Sequence, residues 1–394
     1  MTDTELVTPS PSPKVWVQHL TLTDVRNYDA LSLELPPAPV VLFGSNGAGK
    51  TNLLEAVSML APGQGLRRAA LADLARHGGN GDWAVAARVS RDGDIVEIGT
   101  GIRAERQAGA RATSRIVRID GENQSGTGAL ADVVEVVWLT PALDGLLTGP
   151  AAERRRFLDR LILCFDPSHR TRANRFERAM RQRNRLLDDG VRNDAQFRGL
   201  EELLAEAGVA MAAARLDAVA ALNTVAERRR AREPDSPFPW AKAALEGTLE
   251  AQLGDTAAVD VEDAYAETLA STRERDRAAG RTLTGPHRSD FLLTHGPKDM
   301  PGRLCSTGEQ KALLVGLVLA HAELSAARRQ GASPILLLDE IAAHLDEHRR
   351  GALFQELLFL GSQAWMTGTD RTAFAQLENK AGFFCVEDGF VTPM

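Results

Sequence analysis

The stretch VVLFGSNGAGKTNLLEAVSML, Val40 to Leu60, decides the fold. It opens on an apolar run suited to a strand buried on both faces. It closes on apolar residues recurring at helical spacing. Between the two, GSNGAGKT, Gly44 to Thr51, matches G-x-x-x-x-G-K-[ST]. A strand feeding a glycine loop into a helix is the context in which that pattern cradles phosphate. Gly47 and Gly49 let backbone N–H groups curl around anionic oxygens that side chains would obstruct. The helix N-terminus adds the positive end of its dipole at the same place. Lys50 supplies a point charge for β- and γ-phosphates, and the Thr51 hydroxyl suits Mg2+. Gly44, Ser45, Asn46, Gly47, Ala48, Gly49, Lys50, Thr51 and Asn52 are the candidate nucleotide-binding set, with ATP and Mg2+ implied.

PILLLDE, Pro334 to Glu340, reads as the second half of the same site. Its apolar run marks a central strand, and Asp339 at the C-terminal end is placed to hold Mg2+. Glu340 is one residue on, projects differently, and suits the base that polarises an attacking water. Lys50 and Glu340 are therefore the candidate catalytic pair. A third segment, CSTGEQ, Cys305 to Gln310, precedes an apolar helix expected over Lys311–Ala320. Two readings stand for it. N–H groups of Ser306 and Gly308 point at an anion on the helix N-terminus, or Ser306 and Glu309 form a capping box.

Around these motifs the 394-residue chain has room for two or three domains. Hydrophobic residues are 44% and charged residues 25%, an ordinary globular balance. The polar, proline-rich start MTDTELVTPSPSPK lacks a signal-peptide core and is expected to be a disordered tail over 1–13. The longest apolar run, Ala312–Ala320, is too short for a bilayer. Cys164, Cys305 and Cys385 show no metal or disulfide spacing, which fits a reducing cytoplasm. Strands are expected from Lys14 into the phosphate loop. WAVAARVS, DIVEIGTGI, RIVRIDGENQ and VVEVVWL then suggest an antiparallel sheet, with a loop over 103–114. The chain from Pro150 to about Gly280 reads as helices broken near EPDSPFPW, without sustained heptads. The expected fold class is α/β: a P-loop ATPase domain, with an added antiparallel β region, split by a mostly helical insertion. Its parts fall at 14–145, 146–282 and 283–394.

The order of motifs resembles ABC-type ATPases, with STGEQ as the signature loop and AAHLDEHRR as the D-loop, His344, Leu345 and Asp346 at a subunit seam. The helical block and the long gap from Thr51 to Cys305 resemble the SMC-like branch rather than a transporter subunit. Within that branch the resemblance is to the RecF family. It is carried by VRNYDALSLEL, GSNGAGKTNLLEAVSML, WLTPALDGLLTGPAAERRRFLDRLI, FERAMRQRNRLL, TGPHRSDF, STGEQKALL and ILLLDEIAAHLDEHRR. The resemblance implies an ATP-dependent homodimer that binds DNA near single-strand gaps. It implies work with RecO and RecR to help load RecA, and slow, weak ATP hydrolysis that resets the protein. Ser306, Thr307, Gly308, Glu309 and Gln310 would then act on the nucleotide of a second copy. Three sites depart from ABC patterns, the first being Thr307, where the signature loop usually has glycine. Thr367 and Thr369 stand where transporter-type members carry a switch histidine, and Asp144 lies where a Q-loop glutamine is expected.

A net charge of −7 gives no global sign of a DNA partner, so local patches must serve. Arg154–Arg156 are consecutive, and Arg175, Arg178, Arg181 and Arg185 recur at helical spacing. They suit backbone phosphates, with Arg67 and Arg68 as a second basic candidate. The alternative is a solvated face paired with Glu177, Asp188 and Asp189. Aromatic residues are only 5%, which favours duplex backbone contact over base stacking. A structural SMC organiser would need long heptad arms or a CxxC hook, and the sequence has neither.

Overall fold

A computed structural model describes residues 13–103, 114–341 and 345–394 of the chain. Residues 1–12 of the expected tail and most of the 103–114 loop lie outside the described residues. Val15–Val25 (β1) and Tyr28–Glu34 (β2) alternate apolar and polar residues and pair antiparallel around Arg26–Asn27. Val40–Phe43 (β3) leads through the glycine loop into Lys50–Ser58 (α1). Trp83–Arg91 (β4), Asp94–Ile102 (β5), Ile116–Ile119 (β6) and Glu122–Asn123 (β7) complete an antiparallel sheet of order β2-β1-β4-β5-β6-β7. Val136–Leu139 (β8) follows, and all its residues are buried.

The helical block contains Ala151–Leu163 (α2), Ser168–Asp188 (α3) and Asp194–Arg232 (α4). After the proline-rich break comes a strand that helical periodicity does not reveal, Ala241–Glu246 (β9). Asn223 of α4 holds it by exchanging hydrogen bonds with the Ala243 backbone at 2.8 and 2.9 Å. Thr248–Leu253 (α5), Ala258–Ser271 (α6) and Arg273–Ala279 (α7) follow. Asp290–His295 (β10) pairs with β9 and with Met300–Pro301 (β11). Thr307–Arg328 (α8) starts four residues earlier than the apolar run suggests, because Ser306 caps it.

Ile335–Leu338 (β12), Glu347–Leu360 (α9), Ala364–Gly368 (β13), Gly382–Glu387 (β14) and Phe390–Pro393 (β15) end the chain. The second large sheet has order β15-β14-β3-β13-β12-β8, parallel except at the β15 edge. VVEVVWL therefore does not extend the antiparallel sheet. Its β8 pairs parallel with β12, Leu139 beside Leu338, because a run buried on both faces fits a parallel sheet rather than a half-exposed hairpin.

The described chain forms two compact units. One comprises the chain up to Leu143, Ser236–Phe238 and His321–Met394; the other comprises Asp144–Asp235 and Pro239–Ala320. The first holds both large sheets. The second packs α3, α4 and α6 around Phe176, Leu204, Met211, Tyr265 and Leu269. Helix α4 is long and apolar enough to cross a membrane by length and composition, yet half of its most apolar window is buried. Arg183 of α3 is fully buried there and donates to Glu201, Asp276, Thr282 and the Leu269 carbonyl at 2.7–3.1 Å. Removing one partner of such a network strands the others' charge in a low-dielectric interior. Arg183→Met should cost about 3–5 kcal/mol, read from the urea midpoint of the transition that unfolds this unit.

Candidate nucleotide site

The site lies where β3, β13 and β12 end side by side, the crevice that open parallel sheets offer to ligands. The phosphate loop leaves β3. Gly49 has φ +114, and a Cβ there would lie 2.5 Å from Asn27 Nδ2. At Gly44, φ is +150 and a Cβ would strike the Val386 carbonyl of β14 at 2.1 Å. Only glycine fits either place. Lys50 is nearly buried and donates to the carbonyls of Gly44 and Ser45, both at 2.7 Å. Burial lowers its pKa, opposed by the charges of Glu340 and Asp339.

Asp339 leaves β12 almost fully buried and accepts two hydroxyls on one oxygen. Thr51 Oγ1 donates at 3.0 Å and Thr367 Oγ1, from β13, at 2.8 Å. Thr367 Oγ1 in turn accepts from the Glu340 N–H at 2.8 Å. Glu340 has φ +54, a left-handed conformation that costs a residue with a side chain, so this hydrogen bond fixes a strained turn. Burial raises the Asp339 pKa, and the two hydroxyl donors lower it. A hydroxyl and a carboxylate oxygen in contact fit Mg2+, which keeps waters and takes substrate phosphate rather than an all-protein cage.

Behind α1, Glu55 is 1% exposed and receives Arg26 through two bonds, at 2.8 and 2.9 Å, and Arg67 at 3.0 Å. Arg67 also donates to Asn52 Oδ1 at 2.7 Å, and Asn52 donates to Asn27 at 2.8 Å. Arg67 is thus tied to the phosphate-loop helix, through Asn52 and Glu55, rather than standing in an isolated surface patch. Its charge also lowers the Asp339 pKa. Arg68 is exposed at φ +54. Arg26 did not stand out in the sequence, because it matters only through partners far along the chain; Thr367 was marked there only as standing in place of a switch histidine, and its bonds to Asp339 and to the Glu340 N–H emerge only in the fold.

In the second unit, Ser306, Thr307 and Gly308 are exposed at the start of α8, and a Cβ on Gly308 would meet nothing within 4 Å. Here the capping box forms: Glu309 N–H donates to Ser306 Oγ at 3.4 Å, and Ser306 N–H to Glu309 Oε2 at 2.9 Å. Gln310 bonds the Cys305 carbonyl at 2.8 Å, and Lys298 pairs with Glu309. Lys311 pairs with Asp144 at 2.9 Å. Leu345 is buried, Asp346 caps α9 through the Arg349 N–H at 2.8 Å, and His344 lies outside the described residues.

Most arginines of α3 carry partners. Arg175 makes a two-bond pair with Glu206 at 3.0 Å, Arg181 meets Glu177 at 3.4 Å, and Arg185 meets Asp189 at 3.7 Å. Arg178 is exposed. Arg154 is spent on Asp290 at 2.7 and 2.8 Å, and Arg156 on Glu153.

These sheets and this crevice define a P-loop head of the SMC type. The RecF/RecN/SMC N terminal domain family matches residues 16–392. The DNA replication and repair protein RecF of Mesorhizobium japonicum is 54% identical over 378 residues, covering 96% of this chain and 97% of that protein. RecF of Brucella suis is 51% identical over 381 residues, 96% of each chain. In fold, a solved recombination mediator RecF with bound ATPrS superposes with a TM-score of 0.83 at 21% identity, covering 98% of this chain and 100% of that one. An SMC head from Pyrococcus furiosus reaches 0.53 at 17%, covering 96% of each. The chain belongs to the RecF family of DNA replication and repair proteins.

Lys298 and the Ser306 donors hold the Glu309 carboxyl down at about 2. A lowered carboxylate stabilises the fold above its ordinary, unfolded value, and that contribution disappears as pH falls through about 2. NMR titration should give Glu309 a midpoint well below an ordinary glutamate, and Ser306→Ala should move it upward.

Proposed function

We propose that the chain is an ATP-dependent DNA-binding repair and replication protein that closes as a homodimer on ATP and hydrolyses it slowly. The observation that carries this reading is the meeting of Thr51, Thr367 and Asp339 at the strand ends beside the phosphate loop. In it, the loop N–H groups and Lys50 hold the β- and γ-phosphates. Thr51 and Asp339 would hold Mg2+, which would supply charge neutralisation at those phosphates. Arg67, from the segment after α1 and already bonded to Asn52, adds a cation beside that helix. The Glu340 carboxylate takes the proton from the attacking water. Thr367 orients it by holding the Glu340 backbone and Asp339 together.

Ser306, Thr307 and Gly308 act on the nucleotide of a second copy. Their exposure supports this, and a C2 pair would bury two nucleotides between reciprocal loops. Glu309 serves as the cap that keeps the loop shaped, so the capping box and the trans contact coexist, with Gln310, Leu345, Asp346 and His344 beside the seam. Because ATP would form part of the interface, pairing depends on nucleotide. DNA, double-stranded or at gapped junctions, is the macromolecular ligand, with RecO and RecR as protein partners in loading RecA. Free thiols at Cys164, Cys305 and Cys385 fit a cytoplasmic setting.

Lys50→Met should abolish ATP-dependent DNA retention; retention at the wild-type level would remove Lys50 from the site. For Glu340→Gln, turnover should fall about 10²–10⁴-fold while ATP binding persists and the DNA complex lives longer. Thr367→Val should lower kcat about 10–100-fold with little change in KM. A change confined to KM would assign Thr367 to binding instead.

A further inference from the structure

A cationic surface that belongs to neither the nucleotide site nor α3 lies among the described residues. It is the loop Arg281–Arg288, sequence RTLTGPHR, in the second unit. The loop closes on itself: His287 Nε2 donates to the Thr282 carbonyl at 3.0 Å, and the Arg288 N–H to the Gly285 carbonyl at 2.9 Å. Its surroundings fix it further. Asn184 accepts the Thr282 N–H at 2.9 Å, and Asp276 accepts the Leu283 N–H at 3.2 Å. Tyr265 donates to the Thr284 carbonyl at 2.9 Å, and Arg215 to the Pro286 carbonyl at 2.7 Å. Gly285, at φ +134, could carry no side chain, since a Cβ would lie 2.1 Å from Tyr265 Oη.

This rigid loop places exposed Arg281 and Arg288 at its two ends. Half-buried Arg155 of α2 lies at the Arg288 end, donating to the neighbouring Ser289 carbonyl at 2.5 Å. The neighbouring carboxylates are already engaged. Asp159 is held by Arg215 at 2.8 Å, Asp290 by Arg154 at 2.7 Å and Asp276 by Arg183 at 2.8 Å. Glu250 is buried and accepts from the Ser289 hydroxyl at 2.6 Å. Among the described residues, none of these pairs with Arg155, Arg281 or Arg288. Burial lowers the Arg155 pKa, helped by the nearby charges of Arg215 and Arg288 and opposed by those of Asp290 and Asp159. The paired α3 arginines, Arg175, Arg181 and Arg185, must leave a carboxylate to meet a phosphate, whereas these three need give up none.

We propose that Arg155, Arg281 and Arg288 form a preorganised site for the phosphate backbone of duplex DNA. The inference rests on the DNA-binding reading above. An acidic protein surface is the competing partner. The test is fluorescence anisotropy of the full chain on a labelled duplex, with ATP and Mg2+, across roughly 50–200 mM salt. Arg281→Glu and Arg288→Glu, both at exposed positions, should each weaken binding at least about tenfold. Each should also flatten the slope of log affinity against log salt by about 0.9 per lost phosphate contact, with ATP affinity unchanged. Wild-type affinity and slope in both variants would overturn the site and leave the acidic protein partner as the reading. Failure of the unmutated protein to bind duplex with ATP would overturn the DNA-binding reading itself.

Discussion

The whole site hangs on one buried carboxylate. Asp339 is held by two hydroxyls that come from opposite directions in the chain, Thr51 after β3 and Thr367 at the end of β13. They meet only because the sheet inserts β13 between β3 and β12. That order is set by burial: ILLL, AWMTG and VVLF are apolar enough to lie in the centre of a parallel sheet with both faces covered. A polar substitution in any of the three strands would disturb the carboxylate before it touched a ligand. The same contact explains why a threonine can stand near the place of a switch histidine. Thr367 ties the Asp339 carboxylate to the Glu340 backbone, so it shapes the turn between them.

Charge is handled differently in the two units. In the first, cations converge on Glu55 and hold α1 against the β1–β2 turn. In the second, Arg183 and Arg215 are buried and answered bond for bond, which specifies how α3, α4 and the 281–288 loop meet. Exposed pairs such as Arg181–Glu177 contribute little to stability, about 0–1 kcal/mol at most, and stay available for exchange. A chain with net charge −7 can therefore still present local positive surface, because its carboxylates are committed elsewhere.

Much of this was legible in the residues. The glycine loop announced itself through its strand and helix, and Thr51 and Asp339, named as one metal-side pair, meet at 3.0 Å. The antiparallel runs from Trp83 to Asn123 follow their alternation. VVEVVWL was misplaced because a short apolar run says it is buried, not which sheet buries it. β9 was missed because KAALE alternates too weakly to stand out from helical alanine-rich sequence. Arginine periodicity found α3 but could not pair its charges, since Glu206, Glu201 and Asp276 arrive from other helices. The left-handed turn at Glu340 has no sequence signature at all.

The central claim is that the loop at Ser306 completes a nucleotide site on a second copy. Sedimentation velocity of the unmutated chain and Ser306→Arg, each with ATP, with ADP and without nucleotide, addresses it directly. The expected result is a dimer for the unmutated chain with ATP alone, while Ser306→Arg binds ATP and sediments as a monomer. An ATP-dependent dimer of Ser306→Arg, as stable as that of the unmutated chain, would contradict the account and leave the segment as a helix cap.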